Sequence, residues 1–336
     1  MVIVGTGTAG CAAALGLPAG VRALLVDRAP AGTERCCGGL LTSDSLRSLA
    51  RLGLALPDQV RVEPEPRYVR VHDLNSGREQ SYRRDYVNLN RGRFDEWLLG
   101  LAAARATVEH RTRFAGVTAD AGVVLRSGSM ERVVRTGLII GADGANSTVR
   151  RGFFPNRPGP KTMIALQAYL AFSRVPEFHD VLFDSRLSTY YAWAIPKPDH
   201  VIVGCAFENR VNAGQAFEEV LAWYKEALGL GKEIAPRSAR YLSRPRQRHE
   251  LYPGTGPALL VGEAAGLVSP SSGEGISFAL SSGAAAGRAV SARDPIQAYQ
   301  REFDRLAHRI MAKRLKAGVI FSPRLRSWAL RLPWYP

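Results

Sequence analysis

Short apolar runs separated by glycine-rich turns recur along the chain, and two patterns can be told apart. Residues 1–4 and 23–26 are continuous apolar runs bounded by turn residues, and 136–144 and 258–263 repeat the pattern far downstream. Such runs are expected of strands buried on both faces. Residues 11–15 are small and apolar and read as a closely packed helix. By contrast, 60–90 and 163–207 alternate in short runs (68–71, 163–172, 181–184, 189–194, 200–207), which predicts strands of a second sheet. A meander of three strands is predicted over 108–114, 123–126 and 131–135. Helical spacing marks 40–54, where Leu41, Leu46, Leu49 and Leu52 share roughly one face, then 90–106, 217–228, 276–290 and about the last forty residues.

The buried-strand blocks are interrupted by sheet segments, so discontinuous domains sharing a core fit better than separate beads. The expected fold class is α/β: a Rossmann-type nucleotide-binding domain (1–60, 88–155 and 250–292) interleaved with a mainly antiparallel β-sheet substrate domain (61–87 and 156–249). A basic helical segment (293–336) follows.

Composition changes this picture in one respect. Hydrophobic content of 46% and charged content of 22% are ordinary for a globular protein, but a net charge of +15 is not. Residues 301–336 carry nine Lys and Arg against two acids. No nucleic-acid module accompanies this charge, so nucleic acid is not an expected partner. Trp328, Trp334 and Tyr335 beside Arg324, Arg326 and Arg331 predict peripheral contact with an anionic membrane; the alternative is a basic helix packed on the nucleotide domain. No apolar run reaches the roughly 18–20 residues of a spanning helix. The chain also opens directly in a core strand, so a cytoplasmic location is expected. Four cysteines without metal spacing, and few histidines, predict no metal site.

The chemistry begins at Gly5-x-Gly7-x-x-Gly10, which stands between a strand and a helix, with a second strand ending at Asp27. This is the dinucleotide fingerprint. Gly5 permits the tight turn, Gly7 lets a pyrophosphate approach the backbone, and Gly10 lets helix and strand pack closely. Thr8 and Ala9 open the helix toward the phosphates. Asp27, with Arg28 beside it, is placed for the adenosine ribose. Taken alone, this stretch fits NAD as well as FAD.

Two distant segments narrow the choice: Gly141-Ala-Asp143-Gly144, and Gly262-Glu263-Ala-Ala-Gly266 running on through Pro270, Gly273, Gly275 and Ile276. With the fingerprint they resemble the FAD-dependent oxidoreductases of the aromatic-hydroxylase (PHBH-type) structural group. The resemblance implies FAD as cofactor. It implies that Asp143 and Gly144 support it, that the carboxylate at 263 reaches its ribityl or ribose hydroxyls, and that the Pro270–Gly273–Gly275 loop lies along the flavin ring. The helix opening at Ile276 would aim its positive end at the flavin's pyrimidine edge. The group usually has Asp where this chain has Glu263. Arg91-Gly-Arg-Phe94-Asp95 resembles the group's segment whose Arg reaches the FAD pyrophosphate, with Arg93 as a competitor in the same turn.

Cys37-Gly38-Gly39-Leu40 and Tyr191-Ala-Trp193-Ala-Ile195-Pro196-Lys197 resemble two motifs of the geranylgeranyl reductase family. That resemblance implies a Cys facing the site, Gly38 and Gly39 beside the cofactor, and Tyr191 and Trp193 walling a cavity for an apolar, isoprenoid-like substrate. Three functions follow. The first is reduction of C=C bonds by flavin hydride, with Cys37 as proton donor or substrate contact. The second is a monooxygenase acting on an aromatic or apolar substrate, and the third a non-catalytic electron carrier. No second glycine fingerprint marks an NAD(P) domain, so NAD(P)H is expected only as a transient donor, with a protein or quinol as alternatives.

Overall fold

The computed structural model describes residues 1–118, 120, 122–208 and 212–331. Val2–Val4 lies at the centre of a six-stranded sheet, with Leu24–Val26 on one side and Ile139–Gly141 on the other, both parallel to it. Thr107–Glu109 extends the sheet beyond Leu24–Val26; Ala258–Leu260 and then the antiparallel Gly254–Thr255 extend it at the other edge. The central strands Val2–Val4, Ile139–Gly141 and Ala258–Leu260 are buried at every position, which is why their sequences are continuously apolar rather than alternating.

The described residues form eight α-helices: α1 (Thr8–Leu15), α2 (Ser43–Arg51), α3 (Arg91–Ala103), α4 (Thr148–Phe153), α5 (Ala213–Leu228), α6 (Ile276–Ala289), α7 (Pro295–Ile320) and α8 (Pro323–Ala329). The small residues of α1 and α6 have a direct structural reason. A Cβ at Gly10 would stand 1.8 Å from the Gly5 carbonyl oxygen, and Cβ atoms at Gly283 and Gly287 would each stand 2.2 Å from carbonyl oxygens of α1, those of Ala9 and Ala13. Helix α1 is thus pressed backbone to backbone between its own strand and α6.

The second sheet has seven strands in the order Leu230–Arg244, Lys161–Phe172, Val201–Glu208, Ala192–Pro196, His179–Phe183, Tyr68–Asp73, Arg78–Arg83. All neighbours are antiparallel except His179–Phe183 with Tyr68–Asp73. Ala168, Leu170, Val203 and Cys205 pack one face against Phe217, Val220 and Tyr224 of α5. The other face carries Met163, Ala165, Val181, Phe183 and Trp193 and meets Phe321 and Leu330 of the C-terminal segment.

Two predicted elements divide. The strand expected over 108–114 is Thr107–Glu109 in the parallel sheet and Thr112–Val117 in a three-stranded meander. The chain turns between them at Arg111, a non-glycine residue at φ 54°. The helix expected over 40–54 begins only at Ser43, capped by Thr42, because Leu40–Leu41 pairs instead with Val87–Asn88.

The C-terminal segment packs inward. Tyr299, Phe303, Leu306, Ala307 and Ile310 of α7 join the nucleotide-domain core, and Tyr299 Oη donates to the Leu260 carbonyl at 2.7 Å. Helix α8 returns to the seven-stranded sheet, where Arg326 pairs with Asp73 at 2.8 Å; the two side chains are 3% and 0% exposed. Arg326, expected among the membrane-facing residues, is therefore buried and corrects that expectation. Trp334 and Tyr335 lie outside the described residues. No helix among the described residues is long and apolar enough to cross a membrane.

Two stability predictions follow from these contacts. Gly283→Val is expected to lower stability by about 1–3 kcal/mol through overpacking of α6 on α1. Thermal unfolding reads this directly, and an unchanged Tm would contradict the backbone contact. Arg326→Met is expected to cost about 3–5 kcal/mol by leaving Asp73 buried and unpaired, with adding Asp73→Leu recovering part of the loss. Urea titration of the single and double variants checks the difference.

Candidate functional site

A cavity of about 600 Å³ lies between the two sheets. Its wall contains Gly5, Gly7, Thr8, Ala9, Asp27, Arg28, Cys37, Arg91, Asp143, Gly144, Glu263, Gly273, Gly275 and Ile276 from the sequence assignment. Gly10, Gly38, Gly39, Gly262, Gly266, Pro270, Tyr191 and Trp193 stand outside that wall. Gly10 supports it from behind, through the contact with Gly5.

At one end the Asp27 carboxylate accepts from Thr6 N at 2.8 Å, Thr6 Oγ1 at 2.7 Å and Ala29 N at 2.9 Å. Burial pushes its pKa up. The hydrogen bonds from Ala29 and Thr6, with Arg35 beside it, outweigh that and hold it below the ordinary value. Gly7 caps α1 without a side chain, which leaves the first-turn N–H groups of the helix available to an anion.

Arg35 lies over Gly7. Its Nη1 is 3.4 Å from where a Gly7 Cβ would be, and its guanidinium pairs with Asp27 at 3.6 Å and Asp95 at 3.3 Å. Nothing in the sequence marks Arg35, one Arg among many in a breaker-rich loop. Arg91, at the start of α3, donates to Asp95 at 3.0 and 2.9 Å, to Thr8 Oγ1 at 3.1 Å and to Cys37 Sγ at 3.4 Å. Burial works against its charge, but Asp95 outweighs burial and raises its pKa above the usual arginine value. Arg93 instead reaches the Gln59 carbonyl from an exposed position, so of the two competitors Arg91 is the one in the site. Asp95 is counter-ion to both arginines that bear on the α1 N-terminus.

Asp143 accepts from Thr148 N at 2.6 Å, Thr148 Oγ1 at 2.9 Å and Val149 N at 3.1 Å. It ties down the N-terminus of α4 and so shapes the cavity wall at Gly144. Glu263 uses its extra methylene to reach the other sheet, where Oε1 accepts from Ser243 N at 2.7 Å. Burial raises its pKa, offset in part by Arg240. The N-terminus of α6 carries a carboxylate that the sequence did not point to: Glu274 accepts from Ser277 N at 2.7 Å and from Ser277 Oγ at 2.9 Å. This negative cap weakens the dipole argument at Ile276.

The two reductase-type motifs meet. A Cβ on Gly38 would stand 2.3 Å from Ile195 Cδ1 and 3.9 Å from Trp193 Nε1. Lys197 closes the same junction: Nζ donates to Asn88 Oδ1 at 2.5 Å and to the Leu89 carbonyl at 2.9 Å. Burial pulls its pKa down to about 8, with Cys37 opposing. Tyr191 Oη donates to the Ser272 carbonyl at 2.7 Å, and its ring stacks on Tyr190 at 4.7 Å. Tyr191 and Trp193 therefore pack behind the Ser272 and Cys37–Gly38–Gly39 loops and do not themselves line the cavity. Cys36 Sγ donates to Gln167 Oε1 at 3.0 Å, which joins this loop to the sheet. Cys11 and Cys205 are buried, and burial pushes both thiols up to about 12.

This cavity fits FAD. Its volume suits a cofactor-sized ligand, a helix N-terminus with two arginines waits at one end, and a glycine loop lines the other.

Comparison with known proteins agrees. Protein CbrA of Escherichia coli O9:H4 (strain HS) is 33% identical over 343 aligned residues, covering 98% of this chain and 92% of that protein. CbrA of E. coli K12 is 32% identical, with coverages of 98% and 96%. Among solved structures, a geranylgeranyl bacteriochlorophyll reductase-like protein of Thermoplasma acidophilum superposes with a TM-score of 0.81 at 22% identity, covering 98% of this chain and 87% of that one. PqsL of Pseudomonas aeruginosa, in complex with 2-aminobenzoylacetate, gives 0.72 at 18% identity, with coverages of 98% and 99%. At these identities the structures show the shared fold. The family model described as "FAD binding domain" matches residues 1–225. The chain thus belongs to the family of the FAD binding domain, with CbrA as a relative along nearly its whole length.

Proposed function

We propose that this flavoprotein reduces C=C bonds of an apolar, isoprenoid-like substrate. The observation that carries the reading is the contact of Gly38, in the Cys37–Gly38–Gly39 loop, with Ile195 and Trp193 of the Ala192–Pro196 strand. It sets the loop of a cavity-lining thiol against apolar and aromatic side chains of the seven-stranded sheet, which favours an apolar substrate.

The bound flavin supplies the hydride. The chain's residues do the rest. Arg91 and Arg35 take the pyrophosphate at the α1 N-terminus, and Asp95 holds both guanidinium groups in place until they do. Glu263 lies where it can meet the cofactor's hydroxyls. Cys37 lines the cavity, and Arg91 and Gly39 N donate to its sulfur and hold it in place. Tyr191 and Trp193 exclude water from the apolar side. NAD(P)H is proposed as the transient donor that reduces the flavin.

A monooxygenase is the second reading, favoured by the fold shared with PqsL, described as a probable FAD-dependent monooxygenase. Single turnover of the reduced protein without O₂ separates the two. A product heavier by two hydrogens is expected; product formed only with O₂, and heavier by one oxygen, would sink the reductase reading.

The exposed part of the tail supports a further proposal, peripheral association with an anionic membrane. Leu325 and Trp328 are 50% and 60% exposed on one side of α8, next to exposed Arg324 and Arg331. Leu325→Asp/Trp328→Asp is expected to abolish co-sedimentation with phosphatidylserine vesicles, and retained sedimentation would rule the contact out.

For the cofactor itself, Arg91→Met is expected to weaken FAD binding by roughly 10- to 100-fold, the value of about 1.5–3 kcal/mol for a charge-assisted hydrogen bond. Titration of the apoprotein by flavin fluorescence measures it. Unaltered affinity would remove Arg91 from the site.

A further inference from the structure

Arg240 reaches the cavity from the seven-stranded sheet. It stands on the Leu230–Arg244 strand, in register with Ala165 of Lys161–Phe172, and both residues line the cavity. Its guanidinium lies over Gly144, a glycine at φ 80°: a Cβ there would stand 3.5 Å from Nη2. Arg35 lies over Gly7 in the same way, at 3.4 Å. Two close approaches set Gly144 and Glu263 beside the start of α1. A Gly5 Cβ would stand 3.1 Å from Asp143 N, and a Gly262 Cβ 2.9 Å from the Ala9 Cβ. The charge of Arg240 bears on Glu263, where burial raises the carboxyl pKa and Arg240 opposes the rise. Arg240 is thus brought from one sheet toward the helix end that Arg35 and Arg91 approach from the other.

Its charge, unlike theirs, is uncommitted. Among the described residues Arg240 makes no hydrogen bond and no salt bridge. Arg35 and Arg91 are answered by Asp27 and Asp95, two guanidinium groups against two carboxylates, so that group is neutral as a whole. A diphosphate brings negative charge that a neutral group does not answer, and the α1 N-terminus offers only about half an elementary charge against it. An ion in such a cavity needs a partner that is not already matched. Arg28 and Arg113 line the wall too, but both are exposed and flank Asp27: Arg28 follows it in the chain, and Thr112, next to Arg113, donates to the Asp27 carbonyl. Arg240 is half-buried, where an ion pair is screened less.

We propose that Arg240 is the cation that answers the FAD diphosphate, and that the cofactor so bound ties the seven-stranded sheet to the nucleotide domain. The planar guanidinium suits this task, because its donors match phosphate oxygens in pairs. The Leu230–Arg244 strand is at the edge of its sheet, bonded to one neighbour. An ion pair at Arg240 therefore fixes an element that is otherwise held from one side. The inference rests on FAD as the cofactor and holds whichever reaction the flavin performs.

Calorimetric titration of the apoprotein with FAD, ADP and riboflavin tests this. Arg240→Met is expected to bind FAD and ADP roughly 10- to 100-fold more weakly, as for one charge-assisted hydrogen bond lost, and riboflavin, which has no phosphate, as wild type does. Arg240→Lys should recover part of the loss. The fall of FAD affinity from low to high salt should be shallower in Arg240→Met, since one ion pair is no longer there to be screened. The Tm of the apoprotein should stay unchanged, because the side chain has no partner to lose. At saturating FAD, hydrogen exchange of the 230–244 backbone should slow in wild type and not in Arg240→Met. Wild-type FAD affinity and salt dependence in Arg240→Met would overturn the proposal. Equal weakening of FAD and riboflavin would do the same, by moving Arg240 to the flavin end. A lowered apoprotein Tm with all three ligands lost alike would make Arg240 structural and also overturn it. Equal protection of 230–244 in both proteins would overturn the tie between the sheets. Absence of FAD binding by wild type would remove the cofactor reading itself, which separates that failure from the failure of Arg240.

Discussion

Backbone contact on both sides of α1 is the constraint on which the rest of this structure depends. The helix can stand against Gly5 only because position 10 is glycine, and α6 can close on it only because 283 and 287 are glycine too. This double contact aims the uncapped N-terminus of α1 into the cavity. It also joins the beginning of the chain to residues more than two hundred positions away. A bulkier residue at any of these three glycines would push apart the walls of the site.

Charge is arranged around that helix end in a closed group. Asp27 and Asp95 neutralise Arg35, and Asp95 also neutralises Arg91. Buried ions of both signs can be kept so close only because each has partners. The network holds both guanidinium groups at the uncapped N-terminus of α1. Glu263 and Glu274 show the same economy at the other end, where each carboxylate already accepts from a backbone N–H.

The seven-stranded sheet supplies what the nucleotide domain lacks, a broad apolar face beside the cavity. Its inner surface is closed by the Cys37 loop on one side and by Phe321, which stacks 4.7 Å from Tyr190, on the other. The buried Arg326–Asp73 pair pins the segment that carries Phe321. The C-terminal helices are thus part of the packing of this sheet face as well as a basic surface.

The sequence by itself determined the two sheets and the dinucleotide fingerprint, and most of the site residues it marked do line the cavity. Each of these is written locally, as a run of apolar residues, a glycine spacing or an acid at a strand end. Only the tertiary structure decided that Arg91 rather than Arg93 enters the site, because one helical turn presents both and packing selects between them. It alone revealed Arg35 over Gly7, Glu274 on the α6 N-terminus and Arg326 turned inward. These roles come from pairings between distant strands and loops, and no local spacing records which partner a side chain will meet. The break at Arg111 has the same origin: the segment reads as one strand until two different sheets claim its halves.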